Sequence, residues 1–586
     1  MNNDTSVKSL INLLPHIDIR RRSQLIYLLI LTLFVGIVEM LSIASVIPFV
    51  KSITDENFAK KLNEILKFIS INDQKEVIIF TGIFFSILNL INSLARCILI
   101  YMNSKLSNII TAELNIKIYR IKLYDSYSNF VKKDSSTLIS AVTQKVFQIT
   151  LTLSAVINFI SGTFIFICLM TVLIFIDPFV TLACSLFFGL LYFALVSISK
   201  KKLTVTSSIV NQEQNSIISN LQNGLGAIRD IILDRTQDFY ISNFARANFE
   251  FAKKSAYIQF IQNSPRYLFE GLGIIFFVIL LVYWSSYQED QTGFLKIFPT
   301  LAALAIGSQR ILPLLNNLYV NFAIIKSNKH QVSDIISILN EDLIQQKKKD
   351  LETKKKEITF KSLISFKNVY FSYNKKGNYI LEDINVDIKK GAKIGIIGKT
   401  GEGKSTFLDL LMGLLEPDSG NIYIDSTKLS PEVINSWQSK ISHVPQKIFL
   451  SDRSFLENIA FGKVIETIDL KKAISASKKS QIHDFIIQLE NGYDEKVGYR
   501  GARLSGGQIQ RVALARAFYK NAEIIVFDEA TNSLDSHIEK LIMKELSNLD
   551  KNLTIIKVAH RLNILNDCDV VFEIKGKKIY KTTIDN

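Results

Sequence analysis

The chain reads as an α-helical six-span transmembrane domain followed by an α/β P-loop ATPase domain. Three observations predict this order. Apolar residues crowd the first 330 positions, in blocks such as Leu25–Val35 and Phe164–Ile176. A basic stretch, Gln345–Glu357 with two Lys-Lys-Lys runs, then reads as a solvated tether. Beyond it, the apolar run Ile394-Gly395-Ile396-Ile397 meets Gly398-Lys399-Thr400-Gly401-Glu402-Gly403-Lys404-Ser405-Thr406. The expected boundaries are 1–340 for the membrane domain, 341–360 for the linker and 361–586 for the nucleotide-binding domain.

Composition agrees with a membrane chain. Of 586 residues, 48% are hydrophobic, and the mean hydropathy of +0.22 is high for a soluble protein. Net charge is 69 − 54 = +15, with the Lys and Arg flanking apolar spans, which favours contact with anionic lipid. Basic residues interleaved with aromatics and zinc-type spacing are both missing, so no nucleic-acid partner is expected. Cys97, Cys168, Cys184 and Cys568 form no CxxC pair and imply neither a disulfide framework nor a metal site. The first apolar span follows about two dozen mixed residues and is too long for the core of a secretory signal.

A span needs roughly 20 apolar residues, and six stretches qualify: 25–50, 77–102, 151–176, 179–199, 267–287 and 294–324. Only Asp177-Pro178 joins the third and fourth, which predicts a tight hairpin. Long polar stretches of helical character, 103–150 and 200–265, join the second to the third and the fourth to the fifth. Arg20-Arg21-Arg22, Lys200-Lys201-Lys202 and the lysine-rich 103–150 connection place those ends in the cytoplasm, and hence both termini. Residues 6–18 are weakly amphipathic and are expected along the inner surface. Residues 56–70 carry Phe58, Leu62, Ile65, Leu66 and Ile69 at helical spacing, as either an interfacial helix or a loop helix packed on the spans.

Glu39, Arg96, Arg266, Glu270 and Arg310 lie inside spans. Charge at the bilayer centre is costly, so such residues face protein or a wet cavity. Two readings stand: interhelical ion pairing, or a basic lining in which Arg96, Arg266 and Arg310 receive an anionic head group.

In the second half, strand, glycine-rich loop and helix follow in the order of a phosphate cradle. Loop N–H groups and the helix N-terminus point at phosphates. Lys404 supplies charge to the β- and γ-phosphates, and Ser405 a hydroxyl to Mg²⁺. Ile524–Phe527 is a second buried strand ending in Asp528, suited to Mg²⁺, and Glu529, suited to polarising an attacking water. The alternative for this acidic pair is a cap on the next helix.

This set resembles the ATP-binding-cassette family over essentially the whole chain. The resemblance implies that Tyr373 stacks on adenine. It implies that Gln446, in Val444-Pro445-Gln446, joins Mg²⁺ and the γ-phosphate to the membrane domain. Leu504-Ser505-Gly506-Gly507-Gln508 matches the signature loop, Asp535 the acid of the loop after Glu529, and His560 the switch histidine. In this family the signature completes the site of a second cassette. One cassette and six spans therefore imply a half-transporter, expected as a homodimer with two shared ATP sites, a heterodimer being the alternative. Tyr499 follows Val497-Gly498 where exporters usually carry an acid, and Asn532 starts a segment that is often Ser-Ala-Leu-Asp.

The cytoplasmic extensions resemble the exporter type, with Tyr119–Tyr127 and Gly226–Arg235 as expected coupling segments. Glu39 ahead of Val46-Ile47-Pro48-Phe49, Arg96, Pro265-Arg266 with Glu270-Gly271, and Arg310 before Leu312-Pro313 are similar to the flippases of lipid-linked oligosaccharides in bacterial protein N-glycosylation. The implied function is ATP-driven flipping of a lipid-linked saccharide across a bacterial inner membrane. The rival is a multidrug or general lipid exporter.

Overall fold

The computed structural model describes residues 12–54, 74–132, 139–140, 143, 145–176, 178–285, 311, 313–351, 356–373, 378–529, 536–547, 552–559 and 565–582. The chain divides into two compact units, Met1–Asp125 with Lys133–Gln345, and Ser126–Lys132 with Gln346–Asn586.

The first unit is helical. Its elements are α1 (Ile19–Ala44), α2 (Val46–Thr54) and α3 (Gln74–Leu123). The short α4 (Tyr127–Lys132) falls in the second unit. Then come α5 (Val146–Ile176), α6 (Pro178–Gly226), α7 (Ile228–Leu233) and α8 (Gln237–Ser285). Residues 313–327 are helical and precede α9 (Lys329–Leu351).

The first expected span is two helices. The chain breaks at Ser45, whose hydroxyl donates to the Ser42 carbonyl at 2.7 Å, and Pro48 sits in the first turn of α2, where its missing N–H costs nothing. The second expected span continues without interruption into its polar extension. At 1.5 Å per residue the 50 residues of α3 reach about 75 Å, well beyond the roughly 30 Å of bilayer hydrocarbon. α6 and α8, with 49 residues each, likewise absorb the polar stretches as single helices. Pro178 opens α6 directly after Asp177, as the expected hairpin requires. Pro265 lies inside α8 and removes one helical hydrogen bond one residue before Arg266.

Three described stretches are long and apolar enough to cross a membrane: Ile19–Ile53, Lys75–Leu123 and Val146–Thr171. The sixth expected span falls largely outside the described residues, as does the helix expected at 56–70. In the described part of the expected surface segment 6–18, Leu13, His16 and Ile17 are buried and Asn12, Leu14, Pro15 and Asp18 are exposed. Pro15 falls within a 3₁₀ turn, Leu14–His16, and Leu13 and Ile17 are buried against Ile110, Leu114, Ile149 and Ile335. His16 Nε2 lies 2.9 Å from Asn340 Oδ1, tying this turn to α9.

The second unit is α/β. Its strands are β1 (Leu363–Phe371), β2 (Leu381–Lys389), β3 (Lys393–Gly398), β4 (Ser419–Ile424), β5 (Thr427–Lys428), β6 (Ile441–Val444), β7 (Ile524–Asp528), β8 (Thr554–Val558), β9 (Val570–Lys575) and β10 (Lys578–Thr582). One sheet runs β2-β1-β4-β5, with antiparallel pairing throughout. The other runs β10-β9-β3-β8-β7-β6, with β9, β3, β8, β7 and β6 parallel. Parallel strands are covered on both faces, which is why β3, β7 and β8 are near-continuous apolar runs.

The helices of this unit are α10 (Lys404–Leu411), α11 (Ile434–Ser439), α12 (Phe455–Ile459), α13 (Leu470–Lys479), α14 (His483–Ile487), α15 (Gly506–Lys520) and α16 (Ser536–Ser547). α10 anchors the core: Phe407 stacks on Phe366 at 4.8 Å between centroids, and Trp437 Nε1 donates to the Leu411 carbonyl at 2.8 Å. α12 to α15 close a separate apolar cluster around Phe455, Ile459, Ile482 and Val512.

Candidate functional site

The site forms where parallel strands end. β3 runs into the loop Lys399–Gly403, and α10 starts at Lys404. Gly398 has φ +153°, and a Cβ there would lie 2.6 Å from the Ile574 carbonyl oxygen, so no side chain fits. Gly403 caps α10 in a left-handed conformation. The Glu402 carboxylate accepts from the Lys399 N–H at 2.8 Å and closes the loop on itself. Lys404 is buried and its Nζ donates to the carbonyls of Gly398 and Lys399 at 2.7 and 3.0 Å. The ammonium is thus held under the loop, while Ser405 is exposed at the helix start.

Two strands away in the same sheet, β7 ends at Asp528, which pairs in register with Val558 of β8. Burial, and then the Glu529 carboxylate, push the Asp528 carboxyl above the usual range, and Lys404 opposes them. Glu529 takes φ +54°, a strained value for a non-glycine residue, and its N–H donates to the Val558 carbonyl at 3.1 Å. Gln446, two residues past the end of β6, donates from Nε2 to Glu529 Oε2 at 2.7 Å. Tyr373, just past the end of β1, has its hydroxyl 3.3 Å from Thr406 Oγ1 and its ring edge-on to Phe371.

The Gly398–Thr406 loop, Gln446, Asp528 and Glu529 therefore gather at the carboxyl ends of the parallel strands, the position where open parallel sheets bind ligands, and Tyr373 reaches them from the other sheet through Thr406. Asp528 and the Ser405 hydroxyl are hard oxygen donors of the kind Mg²⁺ accepts alongside substrate phosphates. No cluster of three His, Cys, Asp or Glu side chains forms a self-sufficient metal cage among the described residues. Asp535 and His560 lie outside the described residues.

The Ser505–Gln508 segment stands at the N-terminus of α15. Ser505 Oγ accepts from the Gln508 N–H at 3.3 Å, and Gln508 Oε1 accepts from the Ser505 N–H at 2.8 Å, a reciprocal cap. Ser505 and Gly506 are exposed, so this helix end faces outward.

One residue of this region was not legible in the sequence. Asp409 on α10 is pushed up to about 6, by burial first and then by Asp528. Its signal was a lone acid in an apolar helical run. Burial first, then Asp409 and Tyr373, raise the hydroxyl of Tyr127 on α4. It fell at the end of an expected coupling segment.

In the first unit, Arg96 pairs with Glu39 across α3 and α1, and Arg266 Nε pairs with Glu270 Oε1 at 2.9 Å within α8. Arg310 lies outside the described residues.

Comparison with known proteins agrees with this geometry. Residues 381–532 match the family model described as "ABC transporter". The alpha-hemolysin translocation ATP-binding protein HlyB of Escherichia coli O157:H7 is 34% identical over 332 residues, 56% of this chain and 44% of that protein. The leukotoxin translocation ATP-binding protein LktB of Mannheimia haemolytica is 33% identical over 302 residues, 52% of this chain and 42% of its own. The matched stretch thus spans less than half of either relative. A solved bacterial Atm1-family ABC exporter with ATP bound superposes with TM-score 0.76 at 19% identity, covering 95% of this chain and 94% of that one.

The second unit is an ABC transporter ATPase domain, homologous to those of exporters such as HlyB. The whole chain has the Atm1-family exporter fold, a helical transmembrane region followed by a nucleotide-binding α/β domain.

Proposed function

We propose that the chain is an ATP-driven exporter that works as a pair of copies and moves an amphiphile with an anionic head, most specifically a lipid-linked oligosaccharide. The convergence of Lys404, Gln446, Asp528 and Glu529 at the carboxyl ends of the parallel strands carries the ATPase part. Loop N–H groups and Lys404 take the phosphates. Ser405, Gln446 and Asp528 hold Mg²⁺, and Tyr373 meets the adenine. Glu529 polarises the attacking water, with His560 at the γ-phosphate. Gln446 occupies a Glu529 oxygen at 2.7 Å, so Glu529 must exchange that partner for water when nucleotide and metal engage Gln446. Ser505, Gly506, Gly507 and Gln508, at a helix N-terminus whose first two residues are exposed, suit the γ-phosphate of a nucleotide on the other copy, and Asp535 is the acid the family resemblance adds to the nucleotide site. ATP binding would draw the copies together, and hydrolysis would reset them.

Arginine within apolar helices supports an anionic head group, because its fork matches phosphate oxygens. The rival, a multidrug or general lipid exporter, is favoured by the ion pairs that already neutralise Arg96 and Arg266. The two separate in an ATPase assay on the purified protein in lipid. A polyprenyl-pyrophosphate oligosaccharide is added, then the matching uncharged polyprenol, then hydrophobic cations. Stimulation confined to the pyrophosphate lipid supports the proposal, and stimulation by the polyprenol or the cations alone contradicts it.

A further inference from the structure

α1 and its continuation α2 run antiparallel to α3 and are joined to it by polar contacts that climb one side as they descend the other. Ser52 meets Thr81 at 3.1 Å, Ser42 donates to Asn89 at 2.9 Å, Glu39 pairs with Arg96, and Arg21 donates to Glu113 at 2.9 Å. The Glu39–Arg96 pair lies inside the apolar stretches of both helices. Its partners are unequal: the Glu39 side chain is 1% exposed and that of Arg96 is 42% exposed. Here the acid is sunk in the wall and the base reaches out of it.

The wall is rigid at this level. One turn before Glu39, a Cβ on Gly36 would sit 2.7 Å from the Phe164 ring of α5, so α1 and α5 are in close contact there. Glu39 engages Arg96 through Nη2. The Arg96 Nε–H is buried and has no acceptor among the described residues. A guanidinium carries five N–H donors in a planar fork; the buried Nε–H cannot be presented, so the donors left to face a ligand are the Nη N–H groups that Glu39 does not take.

We infer that Glu39 is a positioning residue: it anchors one corner of the Arg96 guanidinium and aims the remaining donors at the anionic head of the substrate. This rests on the anionic-head reading above. Without the anchor, Arg96 retains its charge and loses its direction, so substrate recognition weakens while turnover at saturation persists.

The test uses the full-length protein in lipid, with polyprenyl pyrophosphate as probe and the uncharged polyprenol as control. The half-saturating probe concentration and the maximal stimulated rate are measured for wild type, Glu39→Gln, Glu39→Asp, Arg96→Gln and the double Gln variant. Loss of one hydrogen bond to a charged group predicts that Glu39→Gln raises the half-saturating concentration at least about tenfold. The maximal rate falls by less than about twofold, Glu39→Asp recovers part of the shift, and the double variant is no worse than Arg96→Gln alone. An unchanged half-saturating concentration in Glu39→Gln, or independent effects that simply add, overturns the positioning role and leaves the anionic-head reading standing. Wild type that responds equally to the polyprenol overturns both.

Discussion

Glu529 takes a left-handed backbone, donates its N–H to Val558 and accepts from Gln446. A strained residue held by two neighbours is one whose side chain must point one way. Its carboxylate is the proposed general base, so Glu529→Gln should lower ATP hydrolysis at least about 100-fold while nucleotide still binds. Steady-state hydrolysis and a fluorescent-nucleotide titration check the two halves of that statement. Lys404 gives the opposite pattern. Its ammonium is buried under the loop carbonyls, and Lys404→Ala should abolish nucleotide binding itself in the same titration.

Legibility at this scale followed locality. Gly398–Thr406, Asp528 and Glu529 were read directly because strand, loop and helix are contiguous there. Tyr373 and Gln446 acquired meaning only through family resemblance, since each comes from a different strand and meets its partner through the sheet order. Asp409 was missed because its surroundings depend on residues far away in sequence.

At the scale of elements, the turn between β4 and β5 shows how a side chain can begin a domain. The Asp425 carboxylate accepts from the N–H groups of Lys361, Ser362 and Leu363 at 2.8 Å each, and from the Ser362 hydroxyl at 2.6 Å. Burial alone would raise this carboxyl. The Ser362 hydroxyl and the three N–H donors outweigh burial and hold it down at about 2, from an ordinary 3.8. A folded-state value below the unfolded one means that the carboxylate stabilises the fold above about pH 4, and that this contribution fades as pH falls toward about 2. Thermal melts of wild type and Asp425→Asn should therefore differ by a constant amount between pH 5 and 8 and converge below about pH 4. A gap that widens on acidification would contradict the assignment.

Among the membrane elements, apolar counting located the long runs but missed the break at Ser45. A count of apolar residues is blind to the single residue at which one helix ends and the next begins. The uninterrupted course of α3, α6 and α8 was visible as helical character in the polar stretches. The antiparallel polar contacts between α1 and α3 were not, because they require the register of two helices about 50 residues apart.

For the whole molecule, the exposed α15 N-terminus is the feature a single copy leaves unused. If Ser505–Gln508 act on a second copy, Ser505→Arg should reduce hydrolysis at least about tenfold while each copy still binds nucleotide. Parallel hydrolysis and nucleotide-titration measurements check this, and unimpaired hydrolysis would argue that each site works alone. Replacing Arg96 or Arg266 by Gln should impair transport more than ATP hydrolysis, since both lie far in sequence from the ATPase unit. Equal losses in the two assays would favour a structural role for these ion pairs. The two-part order of the chain was plain from composition alone, whereas the substrate was not. ATP chemistry sits in contiguous motifs, and substrate recognition is assembled from single residues on separate helices.

The most direct test of the account follows movement of a polyprenyl-pyrophosphate oligosaccharide between leaflets of liposomes carrying the purified protein, with Glu529→Gln as the hydrolysis-deficient control. The account predicts Mg²⁺- and ATP-dependent movement by wild type that is lost in the control. No movement by wild type alongside robust ATP hydrolysis would contradict it.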